Sequence, residues 1–194
     1  DMFSRSRTIH EWLPNLGVTY PVSDSTLLRA SYGRTYGRQN WGSVAGAFTS
    51  NRAAFTAAGL RFDDIWSRLR PEQSDNFDLG ARFVIGNAYI APTLYHIRYT
   101  NKQLSLFDPA VGVAYHQSVA EARATGLELE IGAAPTRNLD IYFSYALNRA
   151  EYSDDARTGS GTVVNVKGKQ MQDSPKQMAS VGAVWRLGSW SVAS

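Results

Sequence analysis

The sequence contains no cysteine, which excludes disulfide bonds and thiolate metal sites. It also has no run of about 18 apolar residues, which argues against a membrane-spanning helix. Charged residues make up only 19% of the 194 residues and the net charge is +3, too little to favour nucleic-acid binding. None of these absences excludes membrane-spanning strands, because alternating residues escape a search for apolar runs.

What the sequence does contain is a pattern of period two. Within residues 77–85 every odd position is apolar, whereas the even positions include Asp78, Gly80 and Arg82. Successive side chains of a strand point to opposite faces, so this segment is predicted to be a strand with one apolar and one polar face.

The same alternation, strong in some segments and weaker in others, predicts eight strands. They cover residues 12–20, 28–33, 77–85, 89–100, 126–132, 139–148, 177–187 and the segment from 190 onward. Helical periodicity is nearly absent, and residues 51–59 are the best helix candidate.

Connection length alternates regularly along the chain. The short connections, rich in Gly, Asn and Pro, are 21–26, 86–87, 135–138 and 188–189; the long ones are 37–70, 101–119 and 151–174. In an up-and-down meander this order puts every short turn at one end and every long loop at the other. Outer-membrane barrels have short periplasmic turns and long extracellular loops. The sequence therefore predicts an all-β, transmembrane, antiparallel up-and-down β-barrel.

On the predicted apolar face, aromatic residues fall near the strand ends. This is the distribution expected where strands cross the two membrane–water interfaces. Near the long connections are Trp12, Tyr36, Phe77, Tyr99 and Tyr145, and near the short ones are Tyr20, Tyr89, Trp185 and Trp190. Arg34 and Arg123 are also predicted to lie on the lipid-facing side of their strands. Both lie near the long connections, where a lipid-facing arginine costs only about 0–1 kcal/mol.

An open sheet of eight strands would leave two unpaired edges in lipid, where each unsatisfied backbone group costs several kcal/mol. The eight strands must therefore close on themselves or form an arc of a larger barrel. The predicted polar face of the strands combines small residues with charged ones such as Asp78, Glu128 and Asp140. Such a face is expected to line a wide, water-filled lumen. This pattern alone does not decide between the two.

Four local motifs carry a family resemblance. Residues 69–80 resemble the "L-x-P-E-x-S-x-N-x-E-x-G" motif of TonB-dependent receptors, with Asp78 in place of the usual Glu. Residues 124–130 are similar to their "G-x-E-x-E" strand, and residues 168–177 resemble their "G-K-x-x-x-x-x-P-x-H" motif, with Gln177 in place of His. The fourth motif, at 14–20 and 28–33, resembles the hairpin that precedes them. The order of the motifs is that of the family.

The resemblance implies a barrel of about 22 strands with a plugged lumen. Residues 1–194 would then be a partial barrel domain, an arc of about eight strands cut at both ends. The plug domain and the closing C-terminal strands would lie elsewhere in a longer protein. The implied function is energised import of a scarce nutrient, such as a ferric siderophore, across the outer membrane of a Gram-negative bacterium.

The resemblance also implies several partners. They are an extracellular small-molecule ligand and, through a missing N-terminal region, TonB. Outer-membrane lipid and lipopolysaccharide would surround the barrel. Lys167 and Lys169 form a small basic spot that suits lipopolysaccharide phosphates, and the alternative is that they lie in a solvated loop.

Two other functions are also compatible with the sequence. One is a passive porin or small structural outer-membrane barrel, and the other is a soluble all-β binding domain. An enzyme is not expected, because His10, His96 and His116 lack metal-ligand spacing and Asp154-Asp155 have no orienting third group. No cofactor or metal is expected.

The long connection 37–70 holds the candidate ligand-binding residues. Aromatic and arginine residues interleave there outside any strand pattern: Trp41, Arg52, Arg61, Trp66 and Arg68. Stacking and charge of this kind suit a flat, anionic, partly aromatic ligand. Long connections usually pack on their own side chains, however, which favours the alternative that these aromatics fold the connection over the barrel mouth.

Overall fold

The protein, as a computed structural model that describes residues 6–188 and 190–193, is dominated by one antiparallel sheet. Its eight strands follow chain order: β1 Asn15–Ser23, β2 Thr26–Gly37, β3 Glu72–Ile85, β4 Ala88–Asp108, β5 Val113–Thr136, β6 Leu139–Tyr152, β9 Gln177–Leu187 and β10 Trp190–Ala193. A separate small hairpin pairs β7 Ala156–Arg157 with β8 Val163–Val164. The predicted meander of eight strands is confirmed. Ser189, in the last predicted turn, lies outside the described residues.

The connection between β2 and β3 is helical. It contains α1 Trp41–Ser50, α2 Arg52–Ala57 and α3 Phe62–Arg68. Only α2 falls within the predicted helix 51–59. The prediction missed α1 because it is rich in small residues and buries only Val44 and Phe48, one turn apart. No helix among the described residues is both long and apolar enough to cross a membrane.

Most of the predicted long connection 101–119 is strand, so this prediction was wrong. β4 continues to Asp108 and β5 starts at Val113, leaving only residues 109–112 as the turn. The alternation breaks near Asn101, which has a φ of 55° and lies at a bulge in the β4–β5 ladder. Since a bulge shifts the register of one strand, it hides the continuing pattern beyond it.

The apolar face of the sheet has no layer of protein over it in the described part of the chain. A row of directly paired residues crosses it from β1 to β6: Val18, Ala30, Leu79, Leu94, Leu127 and Leu147. The side chain of Leu79 is 60% exposed and that of Val181 is 74% exposed. On the other face polar groups pair with one another, as Ser31 does with Asp78 at 2.9 Å. The structure therefore contradicts a soluble sandwich, whose apolar faces would be buried against each other.

The assignment of faces in β4 needs a correction. Tyr89 pairs with Gly132 and Tyr99 pairs with Ser74, which puts both tyrosines on the polar face and not in the lipid-facing belts. His96 pairs with Phe77 and therefore lies on the apolar face. β4 lacks strict alternation, so its sequence does not fix its facing. The ring of Tyr89 lies so close to Gly132 that a methyl group there would overlap it.

The two prolines predicted within strands behave differently. β1 begins at Asn15, so Pro14 lies just outside it. Pro92 lies inside β4, where the β3–β4 ladder is interrupted between the pairs Gly80↔Thr93 and Phe83↔Ile90. Proline has no amide hydrogen to donate, which accounts for this break.

The sheet is not closed. Its strand order begins at β1 and ends at β10, and in the described residues these two strands are edges that do not pair with each other. This is the geometry of an arc of a larger barrel and not of a closed eight-stranded one.

Candidate functional site: the loops at one end of the barrel arc

The long connections pack into one unit at the same end of the sheet. This unit, called the cap below, consists of the three helices, the β4–β5 hairpin beyond Lys102 and Ser118, and residues 153–166 with β7 and β8. Its apolar core contains Val44, Phe48, Phe55, Leu60, Phe62, Ile65, Leu69, Val111 and Tyr115. Burying one phenylalanine stabilises a fold by about 1.5–3 kcal/mol, so this core alone gives the cap a defined structure.

Polar contacts hold both ends of the helical segment to the β4–β5 hairpin. At the start, the backbone N–H of Asn40 donates to Gln103 Oε1 at 3.0 Å. At the end, Ser118 Oγ accepts from the N–H of Arg70 and donates to its carbonyl, both at 2.9 Å. Between them, Ser43 Oγ lies 2.7 Å from His116 Nδ1. The hairpin is therefore the scaffold of the helices.

A buried carboxylate joins the hairpin to the β7–β8 segment. Asp108 is 0% exposed and accepts hydrogen bonds from Ser160 Oγ at 2.5 Å, Ser160 N at 3.0 Å, Tyr115 Oη at 3.1 Å and Ala110 N at 3.2 Å. Burial by itself raises the pKa of Asp108, but these bonds together outweigh burial and hold the pKa below its usual range. Burial and the neighbouring Asp108 charge raise the pKa of Tyr115, so its hydroxyl stays a donor.

Two of the sequence-predicted ligand residues meet at one cleft. Arg52 begins α2 and Arg61 directly precedes α3, and both line a cleft of about 340 Å³ with Phe48, Leu60 and Phe62 in its wall. Gly59 makes this possible: its φ of 72° ends α2 and turns the chain back. Both arginines are exposed. The cleft thus combines two arginines and the acidic residue Asp63 with an apolar wall.

Trp41 and Trp66 form a second part of the predicted site. Their rings stack with centroids 3.8 Å apart, and Trp66 also meets Phe62 at 5.9 Å. Phe62 lines the arginine cleft, so the stacked indoles adjoin the cleft through this ring and are not part of its lining. Both tryptophans are half-buried.

Arg68 does not share the cleft. Its guanidinium donates to the carbonyl of Gly159 and so connects α3 to the β7–β8 segment. The structure thus brings Arg52 and Arg61 together, places Trp41 and Trp66 next to them through Phe62, and leaves Arg68 as a contact between loops.

Sequence reasoning missed the residues that join the loops, chiefly Asp108, Tyr115 and Ser160. The sequence did contain a signal: residues 103–106 alternate between polar and apolar, and Asp-Pro-Ala-Val-Gly at 108–112 is typical of a tight turn. Together they indicate a hairpin in place of an open loop.

The acidic pair in the third loop has protein partners. Asp155 Oδ1 accepts from the backbone N–H groups of Val166 and Lys167, both at 3.0 Å. Lys167 Nζ lies 3.9 Å from Asp154, so the neighbouring carboxylate partly offsets its charge. Among the described residues, no group of three or more His, Asp or Glu side chains is arranged to hold a metal ion.

Comparison with known proteins agrees with this geometry. The sequence matches the family model described as TonB dependent receptor-like, beta-barrel, over residues 2–194. This match spans nearly the whole chain, and the chain belongs to that family. Such receptors lie in the outer membrane of Gram-negative bacteria, and so does this protein, with the cap on the extracellular side. The family is one of receptors and transporters, in agreement with the expectation that the chain is not an enzyme.

Two curated relatives cover most of the chain at low identity. The probable TonB-dependent receptor BfrD of Bordetella pertussis is 22% identical over 182 residues, 94% of this chain and 22% of that protein. The metal-pseudopaline receptor CntO of Pseudomonas aeruginosa is 22% identical over 184 residues, 95% of this chain and 22% of that protein. The chain therefore spans about a fifth of the length of these relatives.

Solved structures show the same fold. The ferric citrate transporter FecA in its unliganded form superposes with a TM-score of 0.59 at 23% identity, covering 93% of this chain and 24% of FecA. The copper transporter OprC superposes with a TM-score of 0.59 at 19% identity, covering 92% of this chain and 24% of OprC.

Proposed function

We propose that this chain is an arc of the barrel domain of an outer-membrane receptor that imports a scarce nutrient, such as a ferric siderophore. In this proposal a plug domain in another part of the protein fills the lumen and receives energy through TonB. Membership in the receptor family is the observation that carries the proposal. The names of related proteins, among them a metal-pseudopaline receptor and a ferric citrate transporter, support the class of ligand.

The cap supplies the ligand contacts in this proposal. Arg52 and Arg61 would bind the anionic groups of the ligand, because guanidinium groups form charge-assisted, bidentate bonds with carboxylates and similar oxyanions. Phe62 and the Trp41–Trp66 stack would contact its aromatic or apolar parts. Arg68 would act indirectly, by holding α3 against the β7–β8 segment.

Binding to the purified full-length receptor tests the site. Ferric complexes of a carboxylate, a hydroxamate and a catecholate siderophore are titrated separately, and at least one should bind saturably. The double variant Arg52→Gln/Arg61→Gln should then bind it at least tenfold more weakly, since each charged hydrogen bond is worth about 1.5–3 kcal/mol. Arg157→Gln, an exposed arginine of the cap outside the cleft, is the matched control and should bind normally. Normal affinity in the double variant would remove the cleft from the proposal.

Uptake of the bound iron complex by cells tests the energy source separately. Transport should stop in a strain without TonB while surface binding persists. Uptake that continues there would favour passive diffusion.

A further inference from the structure

A groove opens on the lipid-facing side of the sheet, where β6 and β9 separate. Their last pair is Leu147↔Gln177, and beyond it residues 168–176 run beside β6 in place of a strand. Backbone bonds of 2.8 Å hold this segment, from Asn148 N to the carbonyl of Lys176 and from Gly168 N to the carbonyl of Tyr152. The groove has a volume of about 600 Å³, within the roughly 300–1,000 Å³ typical of small-molecule sites.

The groove is apolar at its membrane end and charged at its extracellular end. Leu94, Leu127 and Leu147 lie side by side across three strands and line the apolar end. Arg149 follows Leu147 by two residues, so it is on the same face, one step closer to the cap. Lys176 lines the groove at the same charged end. A molecule lying here would meet hydrocarbon contacts below and cations above.

The charges at the extracellular end do not balance. Arg149 Nε donates to Glu151 at 2.7 Å, Arg123 pairs with Glu151 across the β5–β6 ladder, and the charge of Lys176 also acts on this carboxylate. Three cations therefore act on this one carboxylate, while the adjacent Arg98 and Glu121 pair with each other at 3.5 Å. The side chain of Arg149 is 76% exposed, so most of its guanidinium is open to a further partner.

We propose that this groove binds an outer-leaflet lipid that carries phosphate on its headgroup, the lipid A part of lipopolysaccharide. A phosphate would take the place between Arg149 and Lys176 and supply the missing negative charge. An acyl chain would lie along Leu94, Leu127 and Leu147. The site is separate from the nutrient cleft at Arg52 and Arg61, and it would fix the barrel wall to the outer leaflet beneath the third loop.

Native mass spectrometry of the full-length receptor in a zwitterionic detergent tests this assignment. Diphosphorylated lipid A, the same lipid without its phosphates, and inorganic phosphate are titrated in parallel. Lipid A should bind at least tenfold more tightly than its dephosphorylated form, and inorganic phosphate should not bind detectably. Equal binding of the two lipids would overturn the proposal, and binding of inorganic phosphate as tight as that of lipid A would show an anion site that does not need a lipid.

Matched variants locate the binding. Arg149→Gln/Lys176→Gln should lower lipid A affinity at least tenfold, whereas Arg149→Lys should retain most of it. Arg137→Gln is the control for general charge attraction, because Arg137 is exposed in the short turn at the opposite membrane edge. The proposal fails if Arg137→Gln weakens lipid A binding as much as the double variant does, or if the double variant binds like the wild type. Ferric-siderophore binding by the same samples shows that each variant is folded and keeps this result independent of the nutrient site.

Discussion

Neighbouring residues of this chain face different media. Leu79 is directed to lipid, with its side chain 60% exposed, whereas Asp78 is directed to the lumen and accepts a hydrogen bond from Ser31 at 2.9 Å. The effect of a charged side chain on the stability of the barrel therefore depends on which face of the strand carries it. The nine residues 77–85 of β3 contain enough of this contrast to test it.

We predict that Leu79→Arg destabilises the full-length barrel by about 2–4 kcal/mol, because its guanidinium would enter the middle of the hydrocarbon layer. Asp78→Arg places the same side chain in a wet lumen and should cost much less. Urea-dependent folding into lipid vesicles measures both. Equal costs for the two variants would contradict the assigned facing.

Protonation of Asp108 should loosen the cap. Because the pKa of this carboxyl is held below its usual range, its contribution to stability is present above about pH 4 and is lost as the pH falls through the lower native value. The pKa of Tyr115 is raised, so its contribution is present below about pH 10 and is lost only as the pH rises through the higher native value.

Hydrogen exchange of the cap amides in the full-length protein, corrected for the intrinsic effect of pH, measures this directly. Asp108→Asn should already raise exchange at neutral pH, by an amount that corresponds to about 1–3 kcal/mol, because an amide cannot accept all the bonds that the carboxylate accepts. The variant should also lose the acid transition. Wild-type exchange in Asp108→Asn would show that the carboxylate does not hold the loops together.

Among the elements, β4 and β5 illustrate what the sequence predicts and what it does not. Residues 126–132 alternate strictly, and the strand there was predicted correctly. The extension of both strands to a turn at 109–112 was missed, because the bulge near Asn101 interrupts the period. An alternating sequence predicts which side chains face lipid only where all residues on one face are apolar. The facing of the β4 tyrosines is instead fixed by the residues that pair with them on the neighbouring strands.

The contact between Tyr89 and Gly132 allows the facing of β4 to be tested. A methyl group on Gly132 would overlap the Tyr89 ring, so Gly132→Ala should destabilise the barrel by about 1–3 kcal/mol. Gly17→Ala, in β1, is the matched control, since no atom lies within 4 Å of its added methyl group and its effect should be small. Vesicle folding of both variants checks the prediction. A Gly132→Ala variant as stable as Gly17→Ala would imply that Tyr89 turns away from the sheet.

The candidate site could be predicted from the sequence only in part, because many of its contacts join residues that are far apart in the chain. Interleaved aromatics and arginines predicted a candidate site in 37–70, and the structure places two of these arginines at one cleft, but the contacts of this connection with other parts of the chain were not predictable. Arg52 and Arg61 meet because Gly59 reverses the chain. Arg68 meets Gly159, which is 91 positions away in sequence. Contacts between residues so far apart in sequence produce no local sequence pattern from which they could be predicted.

At the scale of the whole molecule, the apolar band has the height of a membrane. Residues 77–85 extend about 30 Å along β3 at about 3.3 Å per residue, and a strand tilt of about 40° reduces this to about 23 Å. Outer-membrane barrels have apolar bands about 25 Å tall. Above the band, arginines such as Arg34 pair with carboxylates, here Asp75 at 2.8 Å. β1 and β10 do not pair with each other in the described part of the chain, so the sheet is an open arc.

Spin labels placed one at a time along β3 test the membrane assignment most directly. The chain has no cysteine, so single cysteines at positions 77–85 of the full-length receptor in lipid bilayers can be labelled without interference from this region. Labels at odd positions should collide with lipid-soluble oxygen and labels at even positions with a water-soluble nickel chelate, alternating at every residue. Accessibility without this alternation, or with oxygen contact at the even positions, would contradict a sheet that faces lipid on one side and an aqueous lumen on the other.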